Sequence, residues 1–456
     1  MFHASQQQAN RMTRRLERSL LGAVLLVYLA LAALYAIRTP DWQAPDEPAH
    51  VNYIRQIAEE GALPVLEEGD WQQAYQEELT ARGFDPALLG RLDTVQYEDH
   101  QPPLYYLLQA PIYAATGGDL TALRLVSVVL GAGVVLAAWA ALRALFPERP
   151  ALALTGAAFV AFLPQHLAIL GSVSNDPLAE LIVGLTLLVS ARYLRGEARG
   201  ASPALLGGLV GLALLTKTTI YFLGGVAVIA VLLRWRRERW PWQTAARHLA
   251  AMLIPSLILG GVWWARNLSI YGGIDFTGLD RHDEVTVGQP RTAEYIDEVY
   301  GGSVARYLEA YARTTFRSFW GQFGWMALIM PRWAYAAFGL FSLAALAGAA
   351  WFVWRARWPG ALSGPQRDGL IVYALALGFV LAAYLIYNVT FVQFQGRYLY
   401  PALIPLALLV AIGLAGWAQA LPPVARGLAP VVLMFALAAF ALYALERIIV
   451  PNLPAW

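Results

Sequence analysis

The chain has 456 residues, 58% of them hydrophobic and only 14% charged, with a net charge of +2. A soluble domain is about half apolar and a quarter charged, so burial in a water-soluble core does not account for this balance. The absence of cysteine removes both a disulfide framework and any Cys-based metal site.

Apolar runs of roughly 17 to 25 residues recur from end to end, each long enough to cross about 30 Å of hydrocarbon at about 1.5 Å per residue. The first covers about Leu20 to Ile37 and follows Arg11, Arg14, Arg15 and Arg18, which the positive-inside rule places in the cytoplasm. A cleaved signal peptide is the other reading of this segment, with small residues near Ala33 and Ala36, but its apolar stretch is longer than a normal signal core.

The next segment, Thr39 to Gly118, is rich in Asp and Glu and poor in Arg, which suits an external loop. Helix-like spacing runs over Asp46 to Glu60 and Trp71 to Arg82, while Leu104 to Ala115 is too short to span and reads as an interfacial helix. Further spans follow over about Leu120–Leu145, Ala151–Leu170, Pro177–Leu194, Ala204–Leu215, Ile220–Leu233 and Leu249–Asn267. A second external loop, Ser269 to Trp333, precedes the last four, near Ala334–Trp354, Gly369–Tyr387, Leu399–Trp417 and Pro430–Arg447.

With this set, the arginines at 143 and 149, at 192, 195 and 199, at 234, 236, 237 and 239, at 355, 357 and 367, and at 426 all fall in the cytoplasm. The expected fold is therefore an all-α integral membrane bundle of about eleven transmembrane helices with external juxtamembrane helices in the first loop. It forms one polytopic domain over residues 1–456. Lys217 is the only lysine, and such Arg-rich usage suggests a GC-rich bacterial genome and a bacterial plasma (inner) membrane.

Polar residues gather where this topology puts the outer face. In Pro45-Asp46-Glu47-Pro48-Ala49-His50, a helix starting here sets Asp46 and His50 four apart on one face, so a carboxylate able to take a hydroxyl proton stands beside an imidazole. The alternative is that Asp46 caps the helix and Glu47 complements its dipole. A second cluster, Glu98-Asp99-His100-Gln101-Pro102-Pro103-Leu104-Tyr105-Tyr106, closes the same loop, its prolines fixing Asp99 and His100 above the bilayer. Asp46, His50 and His100 could together hold a divalent cation, although their spacing is not a metal signature.

Lys217 lies between two short apolar segments, as though two helices stop inside a cavity, where it would face an anion such as a lipid phosphate. Otherwise it snorkels to the interface. Arg397, in Gln393-Phe394-Gln395-Gly396-Arg397-Tyr398, starts a span on the outer side against the charge trend and can grip a phosphate with two N–H groups. Arg266-Asn267 is a weaker candidate of the same kind, and Asn175-Asp176 is either a helix cap or part of the pocket.

Taken together, PDEPAH, HQPPLYY, NDP and QGRY, at Pro45–His50, His100–Tyr106, Asn175–Pro177 and Gln395–Tyr398, resemble the GT-C class of polytopic glycosyltransferases. That class holds the protein O-mannosyltransferases and the lipid A aminoarabinose transferases. The resemblance implies transfer of a sugar, hexosyl or pentosyl, from a polyprenyl-phosphate carrier to a glycan, lipid or protein hydroxyl outside the membrane, with inversion, in cell-envelope synthesis. It implies Asp46 as catalytic base with Glu47 beside it, and Lys217, Arg397 and Arg266 on the carrier phosphate. His50, Asp99, His100, Gln101, Asn175, Asp176, Gln395 and Tyr398 are the expected supporting or sugar-binding residues. No nucleotide is required, a divalent cation stays open as a cofactor, and no nucleic-acid partner is expected. No soluble external domain is expected after the last span, so acceptor recognition falls to the two loops. The alternative function is a transporter or flippase of a lipid-linked sugar, since buried charges and broken helices also mark transport pathways.

Overall fold

The computed structural model describes residues 2–355, 362–420 and 422–454; Arg357, assigned above to a cytoplasmic loop, lies outside them. Among the described residues, nine helices are long and apolar enough to cross a membrane. The count rises to ten if one bent pair is taken as a single span, and two of the expected segments depart from a simple crossing. The segment at 151–170 is a broken pair, α6 (Pro150–Phe162) and α7 (Pro164–Leu170), bent by 67°. Pro164 has no N–H to continue the ladder, and Leu163 before it is extended, as a residue preceding proline prefers. The segment at 204–215 forms only α9 (Pro203–Leu214), whose 12 residues rise about 18 Å, well short of a bilayer.

Helix α1 (Phe2–Arg38) supplies the first span. The first loop then folds into α2 (Glu47–Glu60), α3 (Gln73–Ala81) and α4 (Leu104–Thr116), close to the ranges expected from its spacing. The following spans are α5 (Leu120–Leu145), α8 (Asp176–Leu194), α10 (Leu223–Glu238) and α11 (Trp242–Tyr271). Three more helices fill the second loop: α12 (Leu279–Val285), α13 (Thr292–Tyr300) and α14 (Val304–Trp320). They are followed by an antiparallel hairpin of β1 (Gln322–Phe323) and β2 (Leu328–Ile329). The remaining long helices are α15 (Arg332–Arg355), α16 (Gly364–Thr390), α17 (Leu403–Ala418) and α18 (Pro423–Ala444).

One buried apolar cluster runs through the bundle from Val24 to Leu453. A smaller one, built on Ala49, Tyr75, Leu79, Phe84, Val95 and Tyr97, holds the first loop together. Side chains that would be anomalous on a soluble surface point outward from the long helices: Leu26, Val262 and Ile386 are each 70% exposed. That is the expected state of a helix face turned to lipid. Helices α15 and α17 cross on glycines, and a Cβ on Gly413 would lie 2.1 Å from the carbonyl oxygen of Ala345. Such close backbone approach is how membrane helices gain packing where no hydrophobic drive separates them from lipid.

Candidate active site

The entry to α2 aims the first site residue. Asp46, just before the helix, has φ 67° and ψ −3°, a left-handed conformation that Asp tolerates better than most residues. Its carboxylate makes no capping bond to the helix it precedes. Instead Oδ2 accepts from Arg397 Nη2 at 2.5 Å and Oδ1 accepts from the Tyr97 hydroxyl at 2.8 Å. A turn further on, His50 Nδ1 lies 2.9 Å from the Tyr106 hydroxyl. Of the two readings of Asp46, the helix cap is set aside and the carboxylate faces a cavity.

That cavity has a volume of about 450 Å³, and its polar wall carries Asp46, His50, Glu98, Asp176, Lys217 and Arg397. His100, Gln101 and Tyr398 line it as well, so eight residues from four sequence clusters converge with Lys217 on one space. Another part of its lining is apolar and aromatic, made by Val380, Ala383, Tyr384 and Tyr387 of α16 and by Phe391. Lys217 reaches it because α9 stops early: the chain turns at Thr216 and Lys217, and Nζ bonds to Asp176 Oδ1 at the start of α8. Snorkelling is thereby set aside, for the Lys217 side chain is only 13% exposed and its ammonium is paired inside the cavity.

Arg397 is positioned by Gly396, where a Cβ would meet the Thr315 carbonyl at 2.3 Å and the Phe319 nitrogen at 2.4 Å, so the segment can lie against α14 only with glycine there. Its Nε donates to Gln395 Oε1 at 2.7 Å, which together with the bond to Asp46 fixes the guanidinium plane.

The two carboxyl groups of the loop are driven apart. Burial raises the Asp46 carboxyl, but the charges of Arg397 and His50 and the hydrogen bonds from Arg397 and Tyr97 outweigh it and hold it below the usual value. Burial pushes the Glu98 carboxyl up, and neighbouring Asp46 adds to that against the pull of His50 and Lys217. Environments that separate two acids in this way set them up for different roles. His100 Nδ1 must donate to the Tyr97 carbonyl at 3.0 Å, so its Nε2 is the lone-pair nitrogen and accepts from the Gln101 amide at 3.2 Å. Burial lowers this imidazole to about 4, which keeps it neutral. His282, its ring centroid 4.3 Å away, is lowered to about 3, first by burial and then by His100.

A second cavity of about 240 Å³ shares Asp46, Glu98, Arg397 and Tyr398 with the first. Gln395, expected near the site, lines this one.

Four expected residues lie elsewhere. Glu47 is fully buried beneath the cavity, where Arg124 of α5 grips it with Nε to Oε1 at 2.8 Å and Nη2 to Oε2 at 2.6 Å. Neighbouring positions at a helix start point about 100° apart, so the carboxylate adjacent to Asp46 looks into the bundle. Arg266 donates to the carbonyls of Leu63 and Pro64 and lies over the Trp263 ring, tying the first loop to α11 instead of facing the cavity. Asp99 turns away to Gln56. Asn175 sits behind the wall, donating to Gln101 and Tyr106. Among the described residues, no group of three or more His, Cys, Asp or Glu side chains converges as metal ligands would, and Asp46, His50 and His100 each spend an atom on another partner.

Tyr97, His282 and the cavity role of Glu98 were not anticipated. Glu98 stands in the quoted cluster beside Asp99, and nothing in a loop sequence says which of two adjacent acids turns inward.

The family model described as dolichyl-phosphate-mannose-protein mannosyltransferase matches residues 100–264. No curated protein matches the chain in sequence. The apo structure of ArnT from Cupriavidus metallidurans matches with a TM-score of 0.50 at 14% identity, covering 97% of this chain and 74% of that one. The same protein bound to undecaprenyl phosphate gives 0.48 at 14% identity, over 95% and 73%. An oligosaccharyltransferase from Archaeoglobus fulgidus gives 0.48 at 15%, and there the match spans 94% of this chain but 55% of the other. In sequence over residues 100–264, and in fold along nearly its whole length, this chain is similar to the GT-C class of polytopic membrane glycosyltransferases, the class its motifs resemble.

Proposed function

We propose that the chain is a glycosyltransferase that moves a sugar from a polyprenyl-phosphate carrier to an acceptor hydroxyl on the extracytoplasmic side of a bacterial plasma membrane. The observation that carries this reading is the cavity's division into a wall with two cations and an apolar wall on a membrane helix. An amphiphile with an anionic head and a hydrocarbon tail matches both walls at once. Its phosphate would sit between Lys217 and Arg397, while its first isoprene units lie along Tyr384 and Tyr387. The orientation rests on the arginine-rich helix ends away from the site, which the positive-inside rule assigns to the cytoplasm.

The chemistry follows from the charges. The acceptor oxygen attacks the anomeric carbon and forms the new C–O bond, while the bond from that carbon to the phosphate oxygen breaks and its electron pair leaves with the phosphate. Asp46, ionised, takes the acceptor's proton. Lys217 and Arg397 stabilise the charge that builds on the departing phosphate, an interaction stronger in a partly dry cavity than in water. A direct displacement inverts the anomeric centre. Glu98, held toward its neutral form, is suited to hydrogen-bonding a sugar or acceptor hydroxyl.

The test is release of free polyprenyl phosphate from a panel of polyprenyl-phosphate sugars, comparing the wild-type protein with an Asp46→Asn variant of equal thermal stability. Release that depends on Asp46 supports transfer or its hydrolytic side reaction. Absence of release, with membrane extract present as acceptor source, favours a transporter.

A further inference from the structure

The second cavity differs from the first in chemistry. Beyond the residues it shares with the first, its aromatic surfaces are Trp71, Trp325 and Tyr97, and its polar surfaces are the amides of Gln76, Gln289, Gln393 and Gln395. Both indoles are fixed. Trp71 donates to the Val287 carbonyl at 3.0 Å and Trp325 to the Trp42 carbonyl at 2.9 Å, so neither ring turns to bond a ligand and each offers surface. The hairpin turn holds Trp325 in place at a cost, since Gly324, Trp325 and Met326 all have positive φ, at 57°, 51° and 70°.

Two buried oxygen atoms on this wall have no partner, Gln289 Oε1 and Glu98 Oε2. Buried polar atoms are rarely left so, and an unpaired one points to a missing partner. An amide oxygen only accepts, so that partner must bring a hydrogen-bond donor. Phosphate and carboxylate oxygens bring none at neutral pH. Arg397, the one arginine or lysine on this wall, is bonded to Asp46 and in the glycosyltransferase reading is committed to the carrier phosphate, and Glu98 is a second acid on the wall. An anionic acceptor would meet carboxyl groups and no second cation on this wall.

Resting on the glycosyltransferase reading, we infer that this outer cavity is the acceptor compartment and that it takes a neutral, polyhydroxylated acceptor, a glycan hydroxyl and not a phosphorylated or carboxylated group. Sugar hydroxyls donate to Gln289 and Glu98, and a pyranose face packs on Trp325 or Trp71. Because Asp46 belongs to both cavities, an acceptor hydroxyl bound here has the base at the opening through which it meets the donor's anomeric carbon.

The experiment measures two affinities separately on the full chain in nanodiscs. One is for undecaprenyl phosphate. The other is for a panel of neutral gluco-, manno-, galacto- and arabino-oligosaccharides and for the same sugars carrying one phosphate. The expected result is that at least one neutral oligosaccharide binds, its phosphorylated form binds at least tenfold more weakly, and both Gln289→Leu and Trp325→Phe weaken the neutral ligand about tenfold or more. Undecaprenyl phosphate binding by those variants stays within twofold of wild type, which also verifies that they fold. Tighter binding of the phosphorylated form, binding indifferent to both substitutions, or no binding of any neutral sugar overturns the inference while leaving the donor site standing. Failure of undecaprenyl phosphate to bind the wild-type chain removes the underlying glycosyltransferase reading instead.

Discussion

Asp46 and Arg397 stand 351 positions apart in the chain and meet at 2.5 Å in the cavity wall. The pair joins the loop after the first span to the turn that leads into α17, so the proposed base and one proposed phosphate-binding cation are placed by each other. Neither can be changed alone without disturbing the other.

Replacing Asp46 with Asn keeps the size of the side chain and removes its charge. Carrier-phosphate release is expected to fall on the order of 10²- to 10⁴-fold, the range for losing a general base. The donor's KM should change far less than kcat. Steady-state kinetics in detergent checks this, and a change confined to KM would place Asp46 in binding alone.

Lys217→Met removes one of the two cations and leaves Asp176 without its partner. Loss of one group that stabilises developing charge is expected to lower kcat/KM about 10²- to 10³-fold. Adding Asp176→Asn relieves the uncompensated carboxylate, so the double variant should recover thermal stability but not turnover. Equal recovery of both would make the pair purely structural.

Glu47→Gln tests the opposite assignment. The Glu47–Arg124 pair is buried, with side chains 0% and 1% exposed, and breaking such a pair typically costs about 3–5 kcal/mol because a charge is left alone. Poor yield and a lowered apparent melting temperature are expected, with near-normal kcat in whatever protein folds. A well-folded but inactive variant would return Glu47 to the chemistry.

His282 carries a pH signature. Its folded value is lowered to about 3, so as pH falls below about 6.5 the unfolded chain takes up a proton that the folded one does not. Stability from this residue is therefore full at neutral pH and is lost as pH falls toward the folded value. Relative to His282→Gln, wild type should lose about 1.4 kcal/mol per pH unit between about pH 6 and 4. Parallel melting curves across that range would show that the imidazole is solvated.

Much of the bundle was legible because hydropathy and arginine placement report directly on spans. Two segments differ from the expected simple crossings where length misleads: a proline at 164 bends one apolar run, and α9 is apolar but too short. Asp46, His50, His100, Lys217 and Arg397 were legible through residue type against expected surroundings, a charge at a helix break or on the wrong side of the trend. Glu47, Asp99, Asn175 and Arg266 stand beside true wall residues or at similar helix ends, and only the direction of each Cβ separates them. Arg124 had a signal that went unread, a lone arginine inside the first turns of an apolar helix, which has to find a buried acid.

The single lysine also gives the protein a natural label. Apart from the terminal amine, an acylating reagent finds one primary amine in 456 residues, and it lies in the wall of the larger site cavity. The mass of the intact chain would then count occupied sites directly, one acyl group at a time, without introducing a reporter. A ligand that covers Lys217 would register as a slower mass shift, turning a polytopic membrane protein into its own binding assay.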